Sequence, residues 1–447
     1  MPELRELVQA AVGASQAAEQ VEAYAEESRH TEVKALRGEV EGMTFAESRG
    51  VGVRLIRDGR LGYAWAADPS LAEVAETVAR ARDNAALAEP DEHNALPEAE
   101  AATPLPELFD ASSAATPVEE KVRLALELER YAVSRDPRVS KLDLAQVGDA
   151  VGSVAIASTT GVDAEYARTD AWVVVVTLAV SGEETQTGFS YAIERGLDRL
   201  AWQPIADEAV DRGVQMLGAV KPSTAKLPVI LDPFAASNFL GVLAGTLNAE
   251  NVLKGRSLFA GMTGTAVGSE VVTLVDDGRR PDGPGSCPFD DEGVPSGRIE
   301  LLSSGTLTGF LHDTYTARRT GGSQRSTGNA KRAGYRSTPG VGTSNFYFEP
   351  GTPSFDELLT KAEGGVLIMD VAGVHSGANP ISGEFSVGAT GRRIAGGALG
   401  EPLREMTIAS TLPEMLRSVD AVGNDLRFFS SVGTPSLLIG EMTLAGV

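Results

Sequence analysis

Apolar residues recur at helical spacing at the start of the chain, where Leu4, Leu7, Val8 and Val12 share one face of a helix over residues 2–13. The period then changes to two. Residues 21–25, 32–36, 42–48 and 50–57 alternate as strands, and Asp58-Gly59 predicts a hairpin turn into a strand over 61–66. Helical spacing returns over 70–87, with Ser70 as the cap and Leu71, Val74, Ala75, Val78 and Ala81 as the apolar stripe. A stretch rich in Pro, Ala and acid over 89–117 reads as a surface connector. A second long helix covers 118–133, with Val122, Leu124, Leu126, Leu128 and Tyr131 inward. Strands follow over 142–148, 151–158, 163–168 and 171–180, and a third amphipathic helix over 204–217.

Beyond residues 221–227 glycine and alternation dominate. A short buried strand over 229–231 leads into a helix over 233–252. Strands are predicted over 270–276, 298–311, 345–349, 365–371, 385–390, 392–399, 402–408 and 436–442, with helices at 355–361 and 413–418. The expected fold class is α+β. Its N-terminal domain, over 1–220, places helices on antiparallel sheet. Its C-terminal domain, over 221–447, is mainly β, with a curved or barrel-like sheet.

A chain of 447 residues with 42% hydrophobic and 23% charged content is long enough for two cored domains. The net charge of −23 repels polyanions, which argues against direct nucleic-acid binding. The longest apolar run, 171–180, is about half of what a membrane span requires. The first residues lack the basic and apolar regions of a signal peptide, so a cytoplasmic location is expected. One cysteine rules out an internal disulfide and disfavours a thiolate metal site.

Candidate chemistry concentrates in two places. From 286 to 336 an acidic turn, Asp290-Asp291-Glu292-Gly293, precedes a hairpin and then a loop carrying Arg318, Arg319, Arg325, Lys331, Arg332 and Arg336 with no acid among them. The turn either holds a hard cation or pairs with the basic loop, and pairing is favoured because three consecutive carboxylates cannot readily all face inward. Arg318, Arg319, Arg325 and Arg332 suit a substrate carboxylate, a solvated face or a subunit contact. The second place is His375-Ser376-Gly377-Ala378-Asn379 followed by Gly383-Glu384. His375, Ser376, Asn379 and Glu384 are the residue types of a polar hydrolytic cleft, which requires a base oriented by a partner and a nucleophile in reach. His312-Asp313 closes a strand and reads as a structural histidine. No two of the four histidines stand at i, i+4, and no phosphate loop, dinucleotide fingerprint or nucleophile elbow is present.

Several of these residues also carry a family likeness. Gly50-Val51-Gly52-Val53-Arg54, Gly255-Arg256-Ser257 before Gly264, and Phe289-Asp290-Asp291-Glu292-Gly293 appear in order. They are followed by Gly305-x-Leu307, Asp313 with Ala317, Ser326-Thr327-Gly328-Asn329, and Gly383-Glu384-Phe385-Ser386 before Gly391. In this succession the chain resembles the TldD/PmbA (TldE) family, named as modulators of DNA gyrase and acting as metallopeptidase pairs.

In the TldD branch the helix after the first strand of the C-terminal domain carries H-E-x-x-x-H, and a later cysteine completes a zinc site. The equivalent helix here has no histidine, its only acid is Glu250, and no cysteine follows Cys287. Ala244, Gly245 and Ala249 stand near the family's ligand positions. The resemblance therefore implies the PmbA/TldE branch, with no metal ligand in this chain and zinc only in a TldD-type partner. It implies a non-catalytic subunit completing a peptide-cleaving chamber. The expected partners are a TldD-type subunit and a peptide substrate, with a homodimer as a further assembly, and neither nucleic acid nor a membrane. The alternative is a metal-independent amide hydrolase working through the 375–384 loop on a peptide or small molecule. A regulatory module acting on a protein such as gyrase is a third expectation, suggested by the family's name.

Overall fold

The computed structural model describes residues 2–446. Helix α1 (Leu4–Gly13) leads into β1 (Gln20–Leu36), β2 (Glu39–Arg57), β3 (Arg60–Ala67) and α2 (Leu71–Leu87). After a connector holding the short α3 (Ala111–Ala114), the order repeats as α4 (Val118–Arg135), β4 (Val139–Ser158), β5 (Asp163–Ser181), β6 (Glu184–Glu194) and α5 (Trp202–Gln215). The six strands form one antiparallel sheet in the order β3-β2-β1-β4-β5-β6. Two α-β-β-β-α units thus meet across the central β1–β4 pair. Alternation places all four long helices on one face. Val21, Ala23 and Ala25 of β1 join the core beneath α1 and α2, and Val33 and Ala35 of the same strand join the core beneath α4 and α5.

Each long strand unites two stretches that the hydrophobic pattern separates. In β2 and β4 the glycines beside the join, Gly50 and Gly148, are sites of close approach, not turns. A Cβ on Gly50 would stand 2.3 Å from the Tyr335 ring, and one on Gly148 would stand 2.3 Å from the Trp172 ring. The α2 start matches expectation, with Ser70 and Glu73 forming a reciprocal capping box.

The second half opens with β7 (Ala225–Leu231), α6 (Pro233–Thr246) and α7 (Ala249–Leu253). The single helix expected over 233–252 is broken because the Asn248 side chain accepts the Glu250 N–H at 2.8 Å and starts α7 afresh. A six-stranded sheet follows. It uses β8 (Leu274–Asp277), β9 (Arg298–Ser303) and β10 (Thr306–Leu307), then, after α8 (Thr314–Thr320), β13 (Phe346–Phe348), and it is completed by two strands from near the end of the chain, over 427–429 and 432–434. The short β11 (Ala330–Lys331) and β12 (Gly340–Val341) pair with each other, and α9 (Phe355–Lys361) precedes the remaining strands. These are β14 (Val366–Ala372), β15 (Glu384–Ala395) after the one-turn α10 (Val374–Gly377), β16 (Ala398–Thr411), and, past α11 (Leu412–Arg417), β17 (Val419–Val422), β18 (Arg427–Phe429), β19 (Val432–Thr434) and β20 (Leu437–Ala445).

Strands β16-β15-β14-β7-β20 hydrogen-bond in that order, and β16 pairs back to β20, so they close a five-stranded barrel. The α+β class and the barrel-like sheet read from the sequence are both present. Phe239 of α6 packs against Phe348 and Phe385 at the centre of the largest core. Among the described residues, no helix is long and apolar enough to cross a membrane.

Candidate functional site

Two regions hold the chemistry the sequence singled out. The first is the seam between the N-terminal sheet and the turn at 289–294. Arg54, on β2, donates from Nη1 to Glu292 Oε1 at 2.7 Å and from Nη2 to Glu22 Oε2 at 2.5 Å. Glu22 also receives Arg332, whose guanidinium lies over the Tyr24 ring 5.0 Å from its centroid. All four charged side chains are buried. Burial alone would raise the Glu292 carboxyl, but Arg54 and the Thr314 N–H, donated at 2.9 Å, more than offset it and hold it low. Burial, with Glu292 beside it, pushes the Asp290 carboxyl up, although Asp290 accepts the N–H groups of Glu292, Val294 and Ala330, each at 2.9 Å.

Gly50 and Gly52 make this seam possible. Their missing side chains admit the Tyr335 ring and the Tyr63 hydroxyl, which donates to the Tyr335 carbonyl at 2.7 Å. Sequence reasoning singled out neither Glu22 nor Tyr335. The available signal was the paired glycines inside a strand, which mark close packing against a backbone. The sole cysteine, Cys287, is buried with its Sγ 3.4 Å from Lys331 Nζ.

The basic loop does not form one surface. Arg318 donates to the carbonyls of His93 and Glu92, and Arg319 to the Tyr315 hydroxyl. Arg325 is exposed near Glu100 at 3.9 Å. Arg332 departs from the surface role expected of it, because its side chain is 0% exposed and is held by Glu22 and the Asp291 carbonyl. The acidic turn does meet the basic loop at Arg332, whose N–H donates to Asp291 Oδ2, but its Glu292 is claimed by β2. His312 is buried with Nδ1 unpartnered, and burial lowers its pKa to about 4, so the ring is neutral. Asp313 caps α8 by accepting the Thr316 N–H at 2.8 Å.

The second region is α6 and the loop over 373–384. Asp232 caps α6 through the Ala235 N–H at 2.8 Å and pairs with Arg212 at 2.6 Å, while burial pushes its carboxyl up to about 6. The less buried side of α6 carries Ser237, Asn238, Gly241, Val242 and Gly245. Ser237 and Asn238 both donate back to the Phe234 carbonyl, and a Cβ at Gly241 would meet nothing within 4 Å. The 373–384 loop reaches this helix at Pro380, 3.8 Å from a Cβ built on Gly245. Within the loop, Ser376 Oγ donates to the Gly373 carbonyl at 3.1 Å, and Asn379 Oδ1 accepts the N–H groups of Ile381 and Ser382. His375 and Glu384 are exposed on the same loop. Among the described residues, no hydrogen bond joins His375 to Ser376, Asn379 or Glu384.

The residues on this face of α6 do not fit a zinc ion. They supply no imidazole, thiolate or carboxylate, and among the described residues no group of three or more such side chains is arranged to hold a metal ion elsewhere.

A repeated α-β-β-β-α sheet unit joined through buried ion pairs to a five-stranded barrel defines a recognisable class. Models described as PmbA/TldA metallopeptidase match this chain over residues 21–85 for domain 1, 112–217 for the central domain and 224–446 for the C-terminal domain. The chain belongs to the PmbA/TldD family. It is 27% identical to metalloprotease PmbA of Escherichia coli O157:H7, over 92% of this chain and 88% of that one. A crystal structure from Thermotoga maritima, described as a modulator of a DNA gyrase, superposes with a TM-score of 0.91 at 27% identity, covering 99% of this chain and 100% of the other. TldE of Thermococcus kodakarensis shares the fold, with a TM-score of 0.88 at 24% identity over 98% and 99% of the two chains.

Proposed function

We propose that this chain is a non-catalytic subunit of PmbA/TldE type in a heteromeric TldD-type zinc metallopeptidase, where it completes a chamber that cleaves short or unfolded peptides. The observation that supports this reading is the exposed side of α6. Near the positions where the TldD branch places H-E-x-x-x-H, this chain has Ala244 and Gly245 on α6 and Ala249 at the start of α7, and the polar side chains on the same side of α6, Ser237 and Asn238, are bonded back to the Phe234 carbonyl. A catalytic zinc takes three protein ligands and a water with a base beside it, and this surface supplies neither ligand nor base. Zinc and the chemistry then belong to the partner, and the open side of α6 at Gly241 faces the substrate. Arg318, Arg319 and Arg325, clear of the buried seam, are left for contacts with the partner or substrate.

Co-expression with a TldD-type chain from the same source, followed by metal analysis and a fluorogenic peptide assay, tests this. The expected result is zinc and peptidase activity in the complex and neither in the chain alone. Stoichiometric zinc in the isolated chain would overturn it. The second reading, a metal-independent amide hydrolase, rests on the shared loop of His375, Ser376, Asn379 and Glu384. It requires activity of the isolated chain in EDTA that His375→Ala abolishes.

A further inference from the structure

β6 covers β5 only from Ala171 onward. Over 163–169 no strand lies beside the outer edge of β5, and the connector over 97–110 passes there instead. It is pinned at three points. Thr160 Oγ1 donates to the Pro97 carbonyl at 2.6 Å, Arg279 to the Thr103 carbonyl at 2.9 Å, and the Asp110 N–H to Thr169 Oγ1 at 3.0 Å. Among the described residues, no backbone hydrogen bond joins the connector to 163–168. A cavity of about 570 Å³ lies between them, walled by Ala102, Leu105 and Phe109 of the connector, Tyr166 of β5 and Phe289 of the acidic turn. That is the size of a ligand pocket.

Backbone alternation decides what this cavity offers. The Ser158 N–H donates to the Val162 carbonyl at 2.9 Å, whereas the Thr159 N–H donates to Val21 at the start of β1, also at 2.9 Å. Even-numbered residues at this end of β4 therefore bond toward β5, and their even-numbered opposites on β5 bond back. Asp163, Glu165 and Ala167 direct their N–H and C=O groups the other way, and all three line the cavity. The side chains sort by face. Tyr166 meets the Phe289 ring edge-on at 5.3 Å, and Ala164 and Ala102 pack on the same apolar cluster. On the opposite face Asp163 and Glu165 share one guanidinium, Arg5, at 2.8 and 3.5 Å, which leaves a carboxylate in excess.

We infer that this cavity takes a short extended peptide, added as a strand to the outer edge of β5 beneath the connector. Main-chain hydrogen bonds to 163, 165 and 167 hold it, and alternate side chains give specificity. Because an extended chain turns successive side chains to opposite faces, the favoured ligand alternates apolar with basic residues. Its apolar side chains lie against Tyr166, Phe289 and Phe109, and its basic ones beside Asp163 and Glu165. The connector shields the edge from unselective pairing, which an open strand edge invites. The site needs neither zinc nor a partner chain, so the inference is independent of the peptidase reading.

Fluorescence anisotropy on the full chain, with the end-blocked, dye-labelled peptide Lys-Leu-Lys-Leu-Lys as probe, tests it. Wild type is expected to bind. Ala167→Pro removes an outward N–H and spares the β4–β5 ladder, a change that edge strands tolerate. It should weaken binding about tenfold or more with the melting temperature unchanged. Phe109→Asp, at a side chain 42% exposed, removes an apolar wall without touching the strand and should weaken binding to a similar extent. The same peptide N-methylated at alternate residues keeps its side chains but cannot pair, and should not bind. Glu-Leu-Glu-Leu-Glu should bind about tenfold or more weakly than the lysine peptide. Failure of wild type to bind overturns the inference, as does equal binding of the N-methylated peptide or an affinity indifferent to both variants. Equal affinity for the glutamate peptide overturns the basic ligand.

Discussion

Arg54 donates to Glu292 at 2.7 Å across 238 positions of sequence, and this bond ties the N-terminal sheet to the acidic turn of the second half. With Glu22 and Arg332 it makes a buried set of two carboxylates and two guanidinium groups in charge balance. Such a set adds little net stability over an apolar replacement, but breaking it is costly.

Arg54→Ala is accordingly expected to destabilise the chain by about 3–5 kcal/mol in urea unfolding, because it strands the buried Glu292 carboxylate while Glu22 keeps Arg332. Arg54→Met combined with Glu292→Gln leaves Glu22 matched to Arg332. It should cost clearly less than Arg54→Ala. Equal losses would show that the pairing itself, rather than an unpaired charge, controls stability.

Gly52→Ala places a Cβ 2.0 Å from the Tyr63 hydroxyl and 2.4 Å from the Tyr335 carbonyl, so a loss of about 1–3 kcal/mol is expected from thermal melts. Gly241→Ala meets open space on an exposed helix and is expected to stabilise by about 0.5–1 kcal/mol. The two glycines thus separate a packing requirement from a mere absence of side chain.

His312 contributes a pH dependence of known sign. Burial lowers its pKa from 6.5 to about 4, so the fold prefers the neutral ring. Its contribution is fully present above pH 6.5 and is lost as pH falls towards 4, amounting to about 2–3 kcal/mol. Asp232 and Asp276, both pushed up to about 6 by burial, act in the opposite sense and lose their contribution as pH rises from about 4 to 6. Melting curves of wild type and His312→Leu across pH 4–7 isolate the histidine, and the variant should be less acid-sensitive. Parallel curves would assign the acid sensitivity to other groups.

The chamber reading makes a demand on α6. Gly241→Trp should fold normally, since its position is open, yet reduce peptide cleavage by the co-purified assembly about tenfold or more with zinc content unchanged. Full activity of this variant would remove α6 from the substrate path.

Much of the fold was legible because it is local. The hydrophobic stripes of α1, α2, α4 and α5, the Ser70–Glu73 capping box and the Asp58-Gly59 hairpin depend on residues within a few positions of one another. The absence of metal donors along 233–246 is likewise a matter of residue identity. The His375, Ser376, Asn379 and Glu384 grouping was legible as a loop, but not the use of Ser376 and Asn379 in closing its own turns.

The sequence by itself determined where helices and strands form, because periodicity records which side of each element turns from water. Tertiary structure alone decided which charges are buried. Arg332 and Arg325 stand seven positions apart in the same basic stretch. One is sealed against Glu22 and the other lies open to solvent, because the fate of each guanidinium depends on a strand some three hundred residues earlier in the chain. Pairing across such separations is specified by the folded backbone and leaves no local pattern to read.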